Sequence, residues 1–428
     1  MFLRMRTVWL LAAGAVPVLA WPRPLTVGIW VLVVLTAVAV DVILAPSPRE
    51  LRAERRVSRS VRLGQSTTDT LTLHNPTARA FHVELRDAWV PSAGAVGERA
   101  TVSLPPGQRR RHRTTLTPTR RGDRQADLVT VRSRGPLGLA GRQVSLSCPA
   151  RLRVLPAFSS RRHLPSRLAR LRELDGRSAV MVRGAGTEFD SLREYVVGDD
   201  VRSIDWRSTA RRGDVVVRTW RPERDRRVLI VVDTGRLAAA RLGDAPRLEA
   251  QIEAALLLAA LATHAGDRVS ILAMDTRVRA RLSGQAGPAL MSALAQALAP
   301  LDSELTETDW RTVSATVRQA LPQRALVVVL AGLDGAGVGM TRALAPLARE
   351  HTLLVASATD PDLEVLRSRH STAEEVYVAA AAQAEQHERD RVAELLQRAG
   401  AKVVQSDPDA LAPSLADAYL ALKAAGRL

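Results

Sequence analysis

Residues 184–220 read GAGTEFDSLREYVVGDDVRSIDWRSTARRGDVVVRTW, and acidic, basic and aromatic residues are interleaved there more densely than elsewhere in the chain. Aromatic residues make up only 3% of the sequence, yet Tyr195, Trp206 and Trp220 all lie in this stretch. Arginine forks pair well with carboxylates, so the pattern favours a folded junction over a long charged surface loop. We expect this junction to join a β domain before it to an α/β domain after it.

The acidic residues of this stretch predict a lattice of ion pairs. Our specific hypothesis is that Arg202 bridges Asp199 and Asp205 in a partly buried position. Two alternatives remain for the carboxylates of residues 188–205: a surface that binds a partner, or general acid–base catalysis in a hydrolase. Neighbouring arginines would depress the carboxylate pKa values, which is the opposite of what a general acid needs.

The stretch resembles the signature of the domain-of-unknown-function 58 family. The family usually has Ser-Ala-Arg where this chain has Thr209-Ala210-Arg211. Since the family has no known activity, the resemblance implies an architecture more than a function. The residues that carry it, or that we select as its structural and interaction residues, are Gly186, Glu188, Phe189, Leu192, Arg193, Tyr195, Gly198, Asp199, Asp200, Arg202, Ile204, Asp205, Trp206, Ala210 and Arg211.

Length and composition set broad limits. A chain of 428 residues is expected to form two or three domains. The net charge of +17 comes almost entirely from arginine, and no nucleic-acid-binding motif accompanies it, so we expect no nucleic-acid partner. Cys148 is the only cysteine, which excludes an internal disulfide and a cysteine-based metal site within one chain.

Two apolar runs near the N-terminus predict a membrane hairpin. Residues 7–21 are short for a span, whereas residues 25–45 are long enough, and a Pro-Arg-Pro turn separates them. A cleaved signal peptide is the alternative for the first run. Arginines flank the two outer ends, so the positive-inside rule places both ends, and the domains that follow, in the cytoplasm at the inner membrane.

Residues 57–158 contain short alternating runs separated by Pro, Gly and Asn, which is typical of a β-sandwich. The sequence leaves open whether this domain docks a partner or serves as a spacer. Residues 159–183 are rich in arginine, and Leu168, Leu171 and Leu174 fall at helical spacing. We interpret this segment as a linker helix, with membrane-surface binding as the alternative.

Residues 221–428 alternate between strands and helices, which predicts a mostly parallel sheet covered on both faces. The element order and the aspartate after the first strand, Asp233, resemble a von Willebrand factor A domain, which has a Rossmann-like fold. The predicted architecture is therefore multidomain: a transmembrane helical hairpin (1–48), an all-β sandwich (57–158), a linker helix (159–183), the signature junction (184–220) and a von Willebrand factor A-like α/β domain (221–428).

The resemblance to a von Willebrand factor A domain implies a place for a metal ion, but the residues there are degenerate. Such domains use Asp-x-Ser-x-Ser after the first strand, and here the run is Asp233-Thr234-Gly235-Arg236-Leu237. A second aspartate position reads Gly332. One carboxylate is too few for Mg²⁺, so we expect no metal and interpret Asp233 as a cap for the following turn.

The sequence contains no motif for nucleotide binding or for nucleophilic catalysis. There is no P-loop, no complete dinucleotide loop, no HExxH pair and no Gly-x-Ser-x-Gly elbow. We therefore expect a scaffold or adaptor without a cofactor or a small-molecule substrate, rather than an enzyme. The family resemblance implies a partnership with a MoxR-type AAA+ ATPase in protein assembly or maturation. A hydrolase and a metal-dependent adhesion domain are the alternatives.

Overall fold

The computed structural model shows two compact units, Met1–Ala157 and Phe158–Leu428. It describes residues 1–181, 188–197, 199–221, 226–285, 287–335 and 337–428, with the backbone alone for residues 175–181, 188–191, 219–221 and 288.

The first unit combines three apolar helices with a two-sheet β structure. The first sheet has the strand order β1-β10-β9-β5-β7, and β3 also pairs with β10. The second sheet runs β2-β4-β8-β6. The described elements are β1 (Phe2–Leu3), α1 (Met5–Ala13), α2 (Ala15–Ala20), α3 (Pro24–Leu44), β2 (Arg52–Arg56), β3 (Ser60–Arg62), β4 (Thr67–His74), β5 (Phe81–Asp87), β6 (Ala95–Val96), β7 (Arg99–Leu104), β8 (Arg109–Leu116), β9 (Gly122–Arg134) and β10 (Ala140–Leu155).

The two sheets form the predicted sandwich because alternate residues of their strands turn inward. In β5, for example, Phe81, Val83 and Leu85 are buried while His82 and Arg86 are exposed. They share one core cluster with apolar residues of β4 and β9. Period-two alternation of this kind, set by the pleat of the strand, is what marks these segments in the sequence.

A buried polar cluster lies inside this sandwich. The Arg55 guanidinium pairs with Asp69, at 3.1 Å, and with Asp87. Trp89 Nε1 donates to Asp69 at 2.9 Å, and Thr114 Oγ1 donates to Asp87 at 3.1 Å. Two buried carboxylates thus share one guanidinium, and burial raises the pKa of Asp69 from 3.8 to about 6.

The helices form a hairpin whose two ends meet at the same turn of the sandwich. Trp30 of α3 donates to the carbonyl of Leu10 in α1, so the helices pack side by side. Strand β1 pairs with β10 just before α1 begins. At the other end, the buried carboxylate of Asp41 in α3 accepts hydrogen bonds, each 2.7 Å long, from the backbone N–H groups of Leu137, Leu139 and Ala140 in the β9–β10 turn.

One described helix, Pro24–Glu50, has the length and the apolar composition of a membrane span, with a mean hydropathy of 2.7. The segment Met5–Ala20 is apolar but shorter. The β domain begins earlier than the predicted residue 57, because β2 (Arg52–Arg56) belongs to it and β1 joins its other sheet. The helices and the sandwich therefore form one unit rather than the two predicted domains, 1–48 and 57–158.

The second unit is a doubly wound α/β structure preceded by a small two-stranded sheet. Its main sheet runs β17-β16-β13-β18-β19-β20, which is the order 3-2-1-4-5-6 of the classic dinucleotide fold. The described elements are α4 (Leu164–Met181), β11 (Glu188–Glu194), α5 (Trp206–Arg212), β12 (Val216–Arg221), β13 (Arg227–Asp233), β14 (Arg241–Leu242), β15 (Ala245–Pro246), α6 (Arg247–His264), β16 (Arg268–Met274), β17 (Val278–Leu282), α7 (Gly287–Leu298), α8 (Trp310–Ala320), β18 (Leu326–Leu330), α9 (Gly337–Glu350), β19 (Thr352–Ala358), α10 (Asp362–Ser368), α11 (Ala373–Arg398), β20 (Lys402–Ser406) and α12 (Pro408–Ala424).

The main sheet is parallel except for β17, which is antiparallel to β16 at the edge. One face packs against α6, α7 and α12, and the other packs against α8, α9 and α11. Both faces are buried, so the central strands are continuous apolar runs such as residues 228–232. The α/β architecture predicted for residues 221–428 is present, although β17 and α10 were not predicted.

The predicted linker helix is part of this second unit. Leu171 of α4 is 3% exposed and belongs to the α/β core, and Leu164, Leu168 and Leu174 pack against it. Arg167 Nη2 also pairs with Asp417 of α12 at 2.7 Å. The helix predicted for residues 159–183 is present as α4, and its leucine stripe packs against the α/β core of the second unit.

Candidate functional sites

The signature folds into a small module in the second unit, made of β11, α5, β12 and the loop between β11 and α5. Strands β11 and β12 pair antiparallel from Glu188 to Arg221. The loop closes on β12 through backbone bonds, from Tyr195 N to Val215 O at 2.8 Å and from Asp205 N to Val216 O at 2.9 Å. These bonds fix the loop at both of its ends.

Carboxylates of the signature hold its turns. Asp199 accepts from the backbone N–H of Val196 at 2.9 Å and from the guanidinium of Arg193. Asp205 caps α5 by accepting from Ser208 N at 2.9 Å, and its other oxygen accepts from Arg218 Nε at 2.8 Å. Each carboxylate therefore has a local structural task.

These contacts also set the acidity of the two carboxyl groups. The Arg193 side chain, followed by the Val196 N–H, lowers the pKa of Asp199. The Ser208 N–H, followed by Arg218, lowers the pKa of Asp205. Both groups are stabilised as anions, which makes them poor proton donors near neutral pH.

The predicted bridge from Arg202 to Asp199 and Asp205 is wrong. Arg202 is exposed, and its backbone N–H donates to Asp200 Oδ1 at 3.0 Å. Asp199 and Asp205 pair instead with Arg193 and Arg218. Both of these ion pairs lie near the surface of the module, with the arginine side chains 40% and 47% exposed.

Several apolar side chains of the module are exposed. Val197 is 94% exposed and Trp206 is 68% exposed, and Val196 and Val201 are also largely exposed. We call these four residues the signature patch. Exposed apolar side chains with polar surroundings are typical of an interaction site. Four arginines near these residues in the sequence form no ion pair with a described residue: Arg202, Arg207, Arg211 and Arg212.

The remaining signature residues are placed as follows. Tyr195 is half-buried and Asp200 caps a 3₁₀ turn at residues 201–203. Glu188 and Phe189 lie in β11, opposite Arg221 and Trp220, with their backbone alone described. Gly186 and Gly198 lie outside the described residues.

A second candidate site is a cleft of about 230 Å³ at the carboxyl ends of β13 and β18. The strand order reverses between these two strands, which is where doubly wound proteins bind ligands. Asp233 lies at the floor of the cleft and is buried. Its Oδ1 accepts from Gly235 N, at 2.9 Å, and from Thr308 Oγ1. The other polar lining residues are Arg236, Glu307, Asp309 and Arg311.

A buried arginine supplies positive charge behind this cleft. Arg247, at the start of α6, is 2% exposed. Its guanidinium pairs with Asp334 and donates to the carbonyl oxygens of Leu237, at 3.0 Å, and Ala358, at 3.1 Å. Burial raises the pKa of Asp233, and Thr308, Gly235 and the charge of Arg247 oppose that shift.

The residues of this edge do not fit a metal ion of the von Willebrand factor A type. A Cβ at Gly332 would lie 2.4 Å from Arg247 Nη1, so the guanidinium fills the space that an aspartate would need. A Cβ at Gly235 would lie 2.2 Å from Thr308 Oγ1, which leaves no room for the serine of the motif. Among the described residues, no group of three His, Cys, Asp or Glu side chains could hold a metal ion. Comparing the sequence with the motif identified the departures at Gly235 and Gly332. It did not identify the role of Arg247, because that residue lies outside the motif.

Comparison with known proteins supports the family resemblance of the signature. The family described as "Protein of unknown function DUF58" matches residues 191–402. Uncharacterized protein Mb1516 of Mycobacterium bovis and uncharacterized protein Rv1480 of Mycobacterium tuberculosis are each 28% identical over 199 residues, or 45% of this chain. The chain covers 61% of the length of these relatives.

Two solved structures show weak similarity. The complex of zinc 2-glycoprotein and prolactin-inducible protein from human seminal plasma has a TM-score of 0.21 and 15% identity, over 25% of this chain and 94% of that one. The CARDB domain of a Pyrococcus furiosus protein has a TM-score of 0.20 and 14% identity, over 27% of this chain and 92% of that one. Scores this low do not establish a shared fold.

Proposed function

This chain belongs to the family of unknown function DUF58 over residues 191–402, and on that premise we propose that it is a membrane-anchored scaffold or adaptor. In this proposal α1–α3 anchor the chain in the cytoplasmic membrane, with the two units on the cytoplasmic side. The α/β unit is a von Willebrand factor A-like domain. The partner is a MoxR-type AAA+ ATPase that acts in the assembly or maturation of other proteins.

The observation that carries this proposal is the signature patch. Trp and Arg are the residue types that most often dominate the binding energy of protein interfaces. Here an exposed tryptophan and three exposed valines lie beside arginines that have no ion pair with a described residue. This chemistry suits a protein partner that offers an apolar pocket with an acidic rim. The carboxylates of the module hold its turns, which supports display over catalysis.

The strand order and the antiparallel third strand support the likeness to a von Willebrand factor A domain. Arg247 argues against metal-dependent adhesion, because the guanidinium fills the place of a ligand. For the anchor, the support is the length and hydropathy of residues 24–50 and the exposed apolar side chains of the helical hairpin.

The test is affinity purification of the full chain from native membranes, with the ATPase identified by mass spectrometry. Trp206→Ala should weaken its capture by about tenfold or more, as expected for an interface hot spot. Tyr377→Ala is the matched control, because Tyr377 is 79% exposed on α11 of the same unit. Both variants should keep the wild-type melting temperature, since both side chains are exposed.

Two results would contradict the proposal. If no AAA+ ATPase is captured by the wild-type chain, the partner is wrong. If Trp206→Ala and Tyr377→Ala capture the ATPase as well as wild type does, the signature patch is not the docking surface.

A further inference from the structure

The base of the helical hairpin is surrounded by arginines from three parts of the first unit. Arg4 and Arg6 lie at the start of α1, Arg132 and Arg134 lie in β9, and Arg142 lies in β10. We call these five residues the arginine collar. The β9–β10 turn and the ends of α1 and α3 are bonded to each other, so the collar has a fixed geometry.

Two of the guanidinium groups converge on one point. A Cβ built on Gly138, in the β9–β10 turn, would lie 3.3 Å from Arg6 Nη1 and 4.0 Å from Arg4 Nη1. Thr7 Oγ1 donates to the carbonyl of Leu139 at 2.6 Å, which holds the first turn of α1 against the same loop. Two like charges held at one point repel each other unless an anion lies between them.

The carboxylates near this point are already engaged. Glu84 pairs with Arg134 and, at 3.7 Å, with Arg4. Asp41 is buried and accepts three backbone N–H groups. Arg6 is exposed and makes no ion pair with a described residue. The collar therefore has more positive charge than its own carboxylates neutralise.

The remaining collar residues face the end of the apolar hairpin. Arg142 donates to the carbonyls of Val42, at 3.0 Å, and Ile43, at 3.3 Å, at the last turn of α3. The Arg132 guanidinium lies 5.1 Å from the centre of the Phe2 ring. Apolar side chains directly beside these positions are exposed, including Leu3 and Ile43. This is the arrangement of a membrane–water boundary, with apolar groups on one side and cations on the other.

From this arrangement we propose that Arg4 and Arg6, over the Gly138 turn, bind the phosphate of an anionic phospholipid. Guanidinium groups match phosphate oxygens in charge and in geometry. The inference rests on the proposed membrane anchor, because the hairpin is what brings the collar to the lipid headgroups. Each basic residue near an anionic leaflet contributes about 1 kcal/mol to attraction, which corresponds to roughly a fivefold change in affinity.

The experiment uses the full chain in a neutral detergent, with melting temperature as the readout. Phosphatidylglycerol should raise the melting temperature of the first unit, because a ligand that binds the folded state stabilises it. Phosphatidylcholine and inorganic phosphate at equal concentration should not. Arg6→Gln should weaken the apparent affinity for phosphatidylglycerol about fivefold, and Arg4→Gln/Arg6→Gln more strongly.

Arg109→Gln/Arg110→Gln is the matched control for the double variant. It removes the same charge from exposed positions of β8, in the second sheet, and should keep the full response. Arg6→Gln is the cleaner variant because Arg6 has no described ion partner to lose. Equal responses to phosphatidylglycerol and phosphatidylcholine, a response to inorganic phosphate, or an unchanged response of Arg6→Gln would each overturn the inference.

Extraction of native membranes with alkaline carbonate separates this inference from the proposed anchor. A wild-type chain that leaves the membrane under these conditions contradicts the anchor itself. A chain that stays in the membrane but shows no preference for the anionic lipid contradicts the phosphate site alone.

Discussion

At the scale of single residues, the signature shows that a dense mixture of charges does not determine burial. The same sequence is compatible with a buried lattice of ion pairs and with a folded module at the surface. What distinguishes the two is which arginine faces which aspartate. For Asp205 this is set by the hydrogen bond from its backbone N–H to Val216 O, which places it beside Arg218 of β12. Arg218, thirteen positions after Asp205, is its partner, whereas the closer Arg202 is not.

The observed ion pairs predict different stabilities for two variants. Asp205→Ala should lower the stability of the second unit by about 0.5–2 kcal/mol, because it removes the cap of α5. Arg202→Ala should leave stability within about 0.5 kcal/mol of wild type, as is usual for an exposed residue without special contacts. Thermal melts of the two variants check this. Equal losses of stability in the two variants would instead support the predicted buried bridge between Arg202 and Asp205.

A second prediction at this scale concerns Arg247. Replacing it with methionine leaves Asp334 with Arg389 Nη1 3.6 Å away as its ion partner, and should cost roughly 3–5 kcal/mol. Arg311→Met is the control, because Arg311 is an exposed arginine of the same cleft. Chemical denaturation measures both.

The same site predicts indifference to divalent cations. Added Mg²⁺ should not change the melting temperature of the wild-type chain, since the guanidinium of Arg247 fills the position that a ligand would need. A rise with Mg²⁺ that Asp233→Ala abolishes would contradict this reading of the edge.

At the scale of elements, a cluster that joins β2, β4 and β5 contributes to the pH dependence of the sandwich. Burial raises the pKa of Asp69 from 3.8 to about 6. The folded state then binds a proton more tightly than the unfolded state does between these values. The stabilisation is complete below about pH 4 and is lost as the pH rises through about 6, by about 3 kcal/mol in total.

We therefore expect the melting temperature of the first unit to fall between about pH 4 and pH 7 relative to that of Asp69→Asn. The asparagine keeps an acceptor for Trp89 but does not titrate in this range. The comparison matters because Asp123, whose pKa is lowered by Arg153 and Arg151, contributes the opposite slope at lower pH. Parallel pH profiles for the two proteins would show that Asp69 is not the group responsible.

Elements were predictable from sequence where one periodicity dominates. The alternation of strands and helices over residues 221–428 was predictable because runs such as residues 228–232, which become buried on both faces of the sheet, are apolar throughout. Strand β2, with the sequence RAERR, has almost no apolar residues and was missed. The edge strand β17 was also missed, because its sequence VRARL alternates apolar residues with arginine over only five positions.

At the scale of the whole molecule, the proposed topology puts both ends of the hairpin on one side of the membrane. A reporter that is active only in the cytoplasm, fused after Leu428, should therefore be active. The same reporter inserted at Arg23, in the turn between the helices, should be inactive because that turn faces the other side. Activity of a periplasm-dependent reporter at the C-terminus would contradict the hairpin orientation.

The bonds of Asp41 also determine how the first unit responds to mechanical load. A flexible tether would let a soluble domain rotate and drift while its anchor stayed still. Here three backbone amides of the turn between β9 and β10 donate hydrogen bonds to Asp41 at the end of α3. The helix and the sandwich are therefore expected to tilt as one body. In the proposed membrane-anchored chain, a torque applied to the sandwich would reach the lipid through α3, and the bilayer would provide the restoring force.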